Sequence, residues 1–272
     1  MLTHLRDLWQ DDKAALNGWL NIPSSWSAEV MAHQGFDSLT IDLEHGFAGF
    51  ETALTMIQAI AGAGVTPLAR APWNEPGIIM RLLDAGCLGI ICPMVNERAE
   101  AERFVGACRY PPQGYRSLGP TRAGLVYGSD YARTANARVI TLAMVETAAA
   151  LANLDAICST PGLDGVYVGP GDLSLSLGGA QRLDSYEPVM IEALDAILAA
   201  TRRHGLVAGL HTNSPDYARM VVAKGYRFVT VMTDSGMLGA YARQAVTATR
   251  QEMGSPPGAS PAAPPGASAS TY

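Results

Sequence analysis

Residues 164–172 read DGVYVGPGD: an apolar run, Val166-Tyr167-Val168, then a Gly-Pro-Gly turn, then an aspartate. A strand apolar nearly throughout is covered on both faces, as strands of a parallel sheet are. The turn carries little side chain, so Asp172 falls just past a strand's C-terminal end. The same order of strand, turn and helix repeats in both directions. Upstream come GWLNI (18–22) with a helical segment 27–34, then SLTIDL (38–43) with 50–63. TPLARA (66–71) precedes a helix starting near Asn74, where Glu75-Pro76 suits a first turn. GIICPMV (89–95) leads into 97–108, and RVITLAMV (138–145) into 148–159. Downstream of 164–168 lie a helix near 187–204, LVAGLH (206–211) with 215–224, and RFVTVM (227–232) with 237–250. Regular alternation of this kind implies a parallel sheet. Eight units in roughly 250 residues fit an α/β (β/α)8 TIM barrel better than an open doubly wound sheet. AGAG at 61–64 ends a helix and reads as its C-cap, and no GxGxxG or P-loop occurs.

Composition agrees with a large core. Of 272 residues, 48% are hydrophobic and only 16% charged, which excludes a disordered chain and a coiled coil. With a net charge of −6 and no Lys/Arg cluster, nucleic-acid binding is excluded as a function. Four cysteines (Cys87, Cys92, Cys108, Cys158) form no CxxC or zinc spacing and read as reduced thiols. The start lacks an apolar signal core, and no apolar run approaches the ~20 residues of a membrane span. A cytoplasmic protein without membrane partners is expected. From Gly254 the chain becomes GSPPGASPAAPPGASASTY, with PPGAS repeated at 256–260 and 264–268. The expected division is therefore a barrel domain over 1–253 and a disordered tail over 254–272.

Reacting groups in such barrels sit at the C-terminal ends of strands. There the sequence has Asp42-Leu43-Glu44-His45, Arg70, Glu146, Gly171-Asp172, His211 and Asp234. The opposite ends show no comparable cluster. Glu146 and Asp172 leave adjacent strands, and two carboxylates with few nitrogen ligands suit Mg2+ or Mn2+. Each is equally readable as a helix cap. Backbone N–H groups at the Gly169-Pro170-Gly171 turn are placed to meet an anion. Arg70 offers a fixed fork to an enolate oxygen or carboxylate, or pairs with a rim acid. His45 is placed for general base work, with Asp84 as its orienting partner. Asp42 and Glu44 are placed to support these groups, and His211 has no evident partner. The only lysines, Lys13 and Lys224, do not end strands, so a Schiff-base mechanism lacks its nucleophile.

The motifs DLEHG (42–46), LLDAGCLGIICPMV (82–95), YPPQGYRSLG (110–119), MVET (144–147) and DGVYVGPGDLSLSL (164–177) resemble, in order over roughly 15–245, the HpcH/HpaI aldolase family. The resemblance implies a class II pyruvate aldolase akin to 4-hydroxy-2-oxoheptanedioate aldolase. Such an enzyme catalyses reversible aldol cleavage of 4-hydroxy-2-oxo acids to pyruvate and an aldehyde, through a metal-bound pyruvate enolate. It implies a divalent ion (Mg2+, Mn2+ or Co2+) on Glu146 and Asp172, enolate stabilisation by Arg70, and proton transfer by His45 paired with Asp84. Amides at Gly171 and Asp172 would hold the pyruvate carboxylate. The assembly implied is a homohexamer that exchanges its last helix. Three departures stand out: Gly171 where relatives often have Ala, Met144 where some are polar, and a divergent 117–127 beside the expected aldehyde pocket. Two rival expectations are an acyl-CoA lyase of the citrate-lyase β or malyl-CoA type and a non-catalytic binding barrel.

Overall fold

In the computed structural model, which describes residues 5–252, eight parallel strands close into a barrel in chain order. They are β1 (Ala15–Leu20), β2 (Ser38–Asp42), β3 (Thr66–Arg70), β4 (Gly89–Cys92), β5 (Ile140–Val145), β6 (Gly165–Val168), β7 (Val207–Thr212) and β8 (Phe228–Thr233). Helix α1 (Leu5–Gln10) precedes them. The outer ring is α2 (Ser25–Ala32), α3 (Phe50–Gly62), α4 (Pro76–Asp84), α5 (Arg98–Cys108), α6 (Thr121–Tyr127), α7 (Tyr131–Arg138), α8 (Ala148–Ala152), α9 (Leu154–Cys158), α10 (Pro170–Ser176), α11 (Pro188–Arg203), α12 (Pro215–Lys224) and α13 (Asp234–Glu252). The expected (β/α)8 barrel is the fold observed. The proposed tail, 254–272, lies outside the described residues.

Local chemistry sets the boundaries. Glu75 caps α4 by accepting from the Ile78 amide at 2.9 Å, with Pro76 in the first turn. Gly64 takes φ +83° just past α3, which only a residue without Cβ adopts at low cost. The first strand starts at Ala15, three residues before the expected GWLNI. The polar Asn17, which broke the apolar pattern, faces the barrel interior. It accepts from Ser38 Oγ at 2.8 Å and Thr40 Oγ1 at 3.0 Å, and donates to Thr230 Oγ1 at 2.9 Å. The single helix expected over 148–159 is two short ones that break at Asn153, whose side chain donates to Asn96 O. The segment between Cys108 and Ile140, to which the sequence pattern assigns no element, holds α6 and α7 around a small buried cluster of Tyr110, Ala123, Tyr131 and Ala135.

Two apolar layers follow from the closed sheet. One fills the space between strands and helices. The other fills the barrel with Leu68, Ile91, Leu142, Met144, Tyr167 and Phe228, and Leu5 of α1 joins it from below. Helix α1 lies across the N-terminal end of the barrel, where Trp9 donates to Arg227 O and Arg6 ion-pairs with Asp164 at 2.7 Å. Arg109 reaches the same carboxylate at 2.9 Å. The N-terminal end therefore does carry an ionic cluster, contrary to expectation. Its members lie far apart in sequence and stitch loops to strands. At the other edge, every described residue of α13 from Leu238 to Gln251 is exposed. Among the described residues no helix is long and apolar enough to cross a membrane.

Candidate active site

The strand ends converge as the residue pattern demands. Asp42 and Arg70 are register partners at the last positions of β2 and β3. Asp42 Oδ1 accepts from Arg70 Nε at 2.8 Å and Oδ2 from Nη2 at 2.6 Å. Trp19 Nε1 and the amides of Glu44 and His45 also donate to this carboxylate. Burial works to raise the Asp42 pKa, but the hydrogen bonds and charge of Arg70 outweigh it, leaving the group below its usual range. Arg70 is buried, with its guanidinium 5.0 Å from the Trp19 ring centroid and Nη1 2.9 Å from Glu44 Oε2. The Glu44 contact is an ion pair off the N–H direction, and Oε2 makes no aligned hydrogen bond. Burial chiefly pushes Glu44 up to about 7; Arg70 opposes this, and the carboxylates of Glu146, Asp42 and Asp172 add to it.

Glu146 stands just past β5. It does not cap α8, since Thr147 does that through the Ala150 amide. Instead its Oε1 accepts from the Met94 amide at 2.6 Å, and Met94 holds the left-handed φ of +53° that aims this amide. Burial raises Glu146 to about 7, with the Asp172 charge contributing. Asp172 lies in the first turn of α10, not at its cap.

One pocket on the C-terminal rim is lined by Arg70, Glu146, Gly171 and Asp172, together with Trp19, Asp42, Met144, Tyr167 and His211. Among the described residues no three His, Cys, Asp or Glu side chains form a closed metal cage. The two carboxylates nonetheless fit a hard divalent ion that keeps positions for water and substrate. Gly169 preserves their space: a Cβ there would come within 2.5 Å of Glu146 Oε2. The clustered negative charge of Glu44, Glu146 and Asp172 is met by one nearby cation, Arg70, leaving an excess that a divalent ion would balance.

His45 sits on the same rim with its side chain 44% exposed and Nε2 4.0 Å from Glu44 Oε2. The expected His45–Asp84 pair does not form within the chain. Asp84 ends α4, which runs back toward the N-terminal end of the barrel. Leu88, four residues on, already bonds Pro67 at the start of β3. Asp84 Oδ1 instead accepts from Arg116 Nη2 at 2.7 Å. Asp234 is structural, accepting from the amides of Asn21, Ile22 and Ser235 and from Ser27 Oγ. Lys13 and Lys224 pair with Asp11 and Asp195 away from the pocket. All four cysteines are free and buried, and burial pushes the Cys87 and Cys108 thiols up to about 12, so neither is a nucleophile.

Two pocket residues were missed. Trp19 stacks on Tyr167 (5.7 Å, 12°) beneath Arg70. Both read as ordinary core aromatics in apolar strands. His211, given no partner by its sequence, has its ring edge-on to Trp19 at 5.0 Å and its Nδ1 3.2 Å from Tyr167 Oη.

A family model described as HpcH/HpaI aldolase/citrate lyase matches residues 17–239. The chain is 41% identical over 249 residues to the hydroxypyruvate/pyruvate aldolase of Rhizorhabdus wittichii, covering 92% of this chain and 99% of that one. It is 37% identical over 223 residues to the 4-hydroxy-2-oxo-heptane-1,7-dioate aldolase of Shigella flexneri, covering 81% and 83%. Its fold is similar to that of a solved HpcH/HpaI aldolase/citrate lyase family protein from Burkholderia cenocepacia, with a TM-score of 0.85, 33% identity, and coverage of 91% and 99%.

Proposed function

The chain belongs to the HpcH/HpaI aldolase/citrate lyase family and is a carbon–carbon lyase, and from this we propose that it cleaves 4-hydroxy-2-oxo acids reversibly to pyruvate, or a close 2-oxo acid, and an aldehyde, with a divalent metal ion. The observation carrying this reading is a buried guanidinium, fixed by Asp42, that shares one pocket with Glu146 and Asp172. Glu146 and Asp172 would hold the ion. When bound, it supplies Lewis-acid polarisation of the keto oxygen, which acidifies the adjacent carbon. Arg70 donates to the oxygen on which charge develops, and one such donor is worth about 10²–10³ in rate. Gly171 and Asp172 offer first-turn amides of α10 to the substrate carboxylate. His45, exposed on the rim, carries the proton between the aldol hydroxyl and solvent. Asp84 takes no part in the site as one chain builds it.

Arg70 is the one cationic side chain among the residues lining the pocket, so the phosphates of an acyl-CoA ester find no partner there. The enzyme works in the cytoplasm as a homohexamer, using the exposed apolar side chains of α13 (Leu238, Tyr241, Val246) for contact. A pyruvate-release screen over 4-hydroxy-2-oxo acids, with and without EDTA, tests the reading. Activity lost on chelation and restored by Mg2+, Mn2+ or Co2+ is expected. Activity that survives chelation, with borohydride trapping a pyruvate adduct, refutes it.

A further inference from the structure

We infer that His211 reads a hydroxyl group on the third carbon of the 2-oxo acid that serves as nucleophile, through an Nε2 left as a bare hydrogen-bond acceptor. The inference rests on the aldolase reading above and deepens it.

The polarity of His211 follows from its neighbours. Tyr167 Oη has one hydrogen, and it goes to Thr230 Oγ1 at 2.7 Å. At the 3.2 Å contact between Tyr167 Oη and His211 Nδ1 the ring must therefore donate. That places the imidazole hydrogen on Nδ1 and leaves the lone pair on Nε2. Thr230 is held in turn by Asn17, which Ser38 and Thr40 fix from the far side, so the chain of bonds is anchored in the barrel wall. Burial, and then the positive charge of Arg70, pull the His211 pKa down to about 3, so the ring stays neutral across the working range. His211 lines the pocket and is partly exposed, and among the described residues its Nε2 has no hydrogen-bond partner yet is not sealed from solvent.

Placement selects what Nε2 meets. In a closed eight-strand barrel, β7 stands opposite β3, across from Arg70. A 2-oxo acid whose carboxylate and keto oxygens face Arg70, Glu146 and the α10 amides points its third carbon toward β7 and β1. His211 is also deep: its ring rests on Trp19, and Tyr167 below it fills the barrel. The aldehyde approaches from the open rim. An acceptor nitrogen gains nothing from an aldehyde oxygen, which has no hydrogen to give, but it binds a hydroxyl. The favoured nucleophile is thus a 3-hydroxylated 2-oxo acid, with pyruvate the poorer substrate.

The test compares kcat/KM for hydroxypyruvate and pyruvate with one common aldehyde and metal, in the wild type, His211→Leu, His211→Gln and Tyr167→Phe. His211→Leu is expected to lower the hydroxypyruvate-to-pyruvate preference about tenfold, the worth of one neutral hydrogen bond. His211→Gln, whose amide oxygen also accepts, should keep it within about threefold. Tyr167→Phe frees Nδ1 and should lower the preference in the same direction. Should His211→Leu not fold, the Gln and Phe variants still decide. An equal loss with both substrates, an unchanged preference in His211→Leu or Tyr167→Phe, or a Gln variant as poor as Leu overturns the inference and leaves the aldolase reading standing. So does a wild type active on pyruvate and inert on hydroxypyruvate. A wild type inert on every 2-oxo acid overturns both.

Discussion

Asp42 and Arg70 face each other at the ends of neighbouring strands, and the carboxylate grips the guanidinium through bonds of 2.8 and 2.6 Å. A bidentate fork fixes both the plane and the direction of the arginine. The edge carrying Nη1, which meets Glu44 only off the N–H direction, is the one the proposed reading assigns to the substrate. The pair is therefore a positioning device as well as a buried ion pair.

Asp42→Ala is expected to destabilise the protein by about 3–5 kcal/mol, because it leaves a buried cation with only its misaligned contact to Glu44. Urea denaturation measures this. Asp42→Asn should fold better yet lose about tenfold or more in kcat, since the fork is broken. A variant with wild-type kcat would mean that Arg70 needs no such anchor.

The roles of Arg70 and Glu146 should separate. Arg70→Ala is expected to slow both aldol cleavage and solvent exchange of pyruvate methyl protons by about 10²–10³, with Mn2+ affinity retained. Glu146→Ala and Asp172→Ala should lose Mn2+ binding in a calorimetric titration. Normal exchange in the first variant and normal Mn2+ binding in the second would together reject both assignments.

Gly169→Ala should fold normally, since φ −91° and ψ 91° suit any residue, but it should weaken Mn2+ affinity at least tenfold. The new methyl would stand 2.5 Å from Glu146 Oε2 and displace that carboxylate. Unchanged affinity would show that this oxygen faces away from the ion.

The metal-free protein should become less stable as pH rises from about 4.5 to about 7. Glu44 and Glu146 are raised from 4.5 to about 7, so in this window the native state holds protons that the unfolded chain has released. Asp42, whose pKa is lowered from 3.8, acts with the opposite sign: it contributes stability that is lost as pH falls below that value. Melting temperatures in EDTA at pH 5 and pH 7.5 check the direction, and Glu44→Gln should flatten the slope. A melting temperature that climbs across the window would reject the assignment.

Removing residues 254–272 should leave activity and melting temperature nearly unchanged, because this Pro/Ala/Ser/Gly stretch offers little to bury. Parallel assays of full-length and shortened protein decide it, and a large loss in either would mean that the segment docks on the barrel.

Strand ends were legible because polarity changes abruptly there. Arg70 closes TPLAR, Glu146 follows ITLAMV, and Asp172 follows a turn with almost no side chain. Contacts that depend on closure were not legible. Asn17 breaks an apolar pattern and so hid the start of β1, although it points at Thr230, 213 residues away. Trp19 looks like any core aromatic until Arg70 lies beside it. The His45–Asp84 pair does not form within one chain for a topological reason: a helix that returns along its strand carries its last residue to the opposite end of the barrel.

Helix α1 has a kinetic consequence. With the barrel filled by side chains and Leu5 of α1 pressed in from below, the described residues leave the pocket open only toward the C-terminal rim, and that rim is the doorway. On the proposed reading the 2-oxo acid would lie on the floor and the aldehyde nearer the threshold, so the aldehyde is expected to depart first in cleavage and arrive last in synthesis. Steady-state traffic is then expected to be ordered, with high aldehyde concentrations holding the 2-oxo acid in place during cleavage.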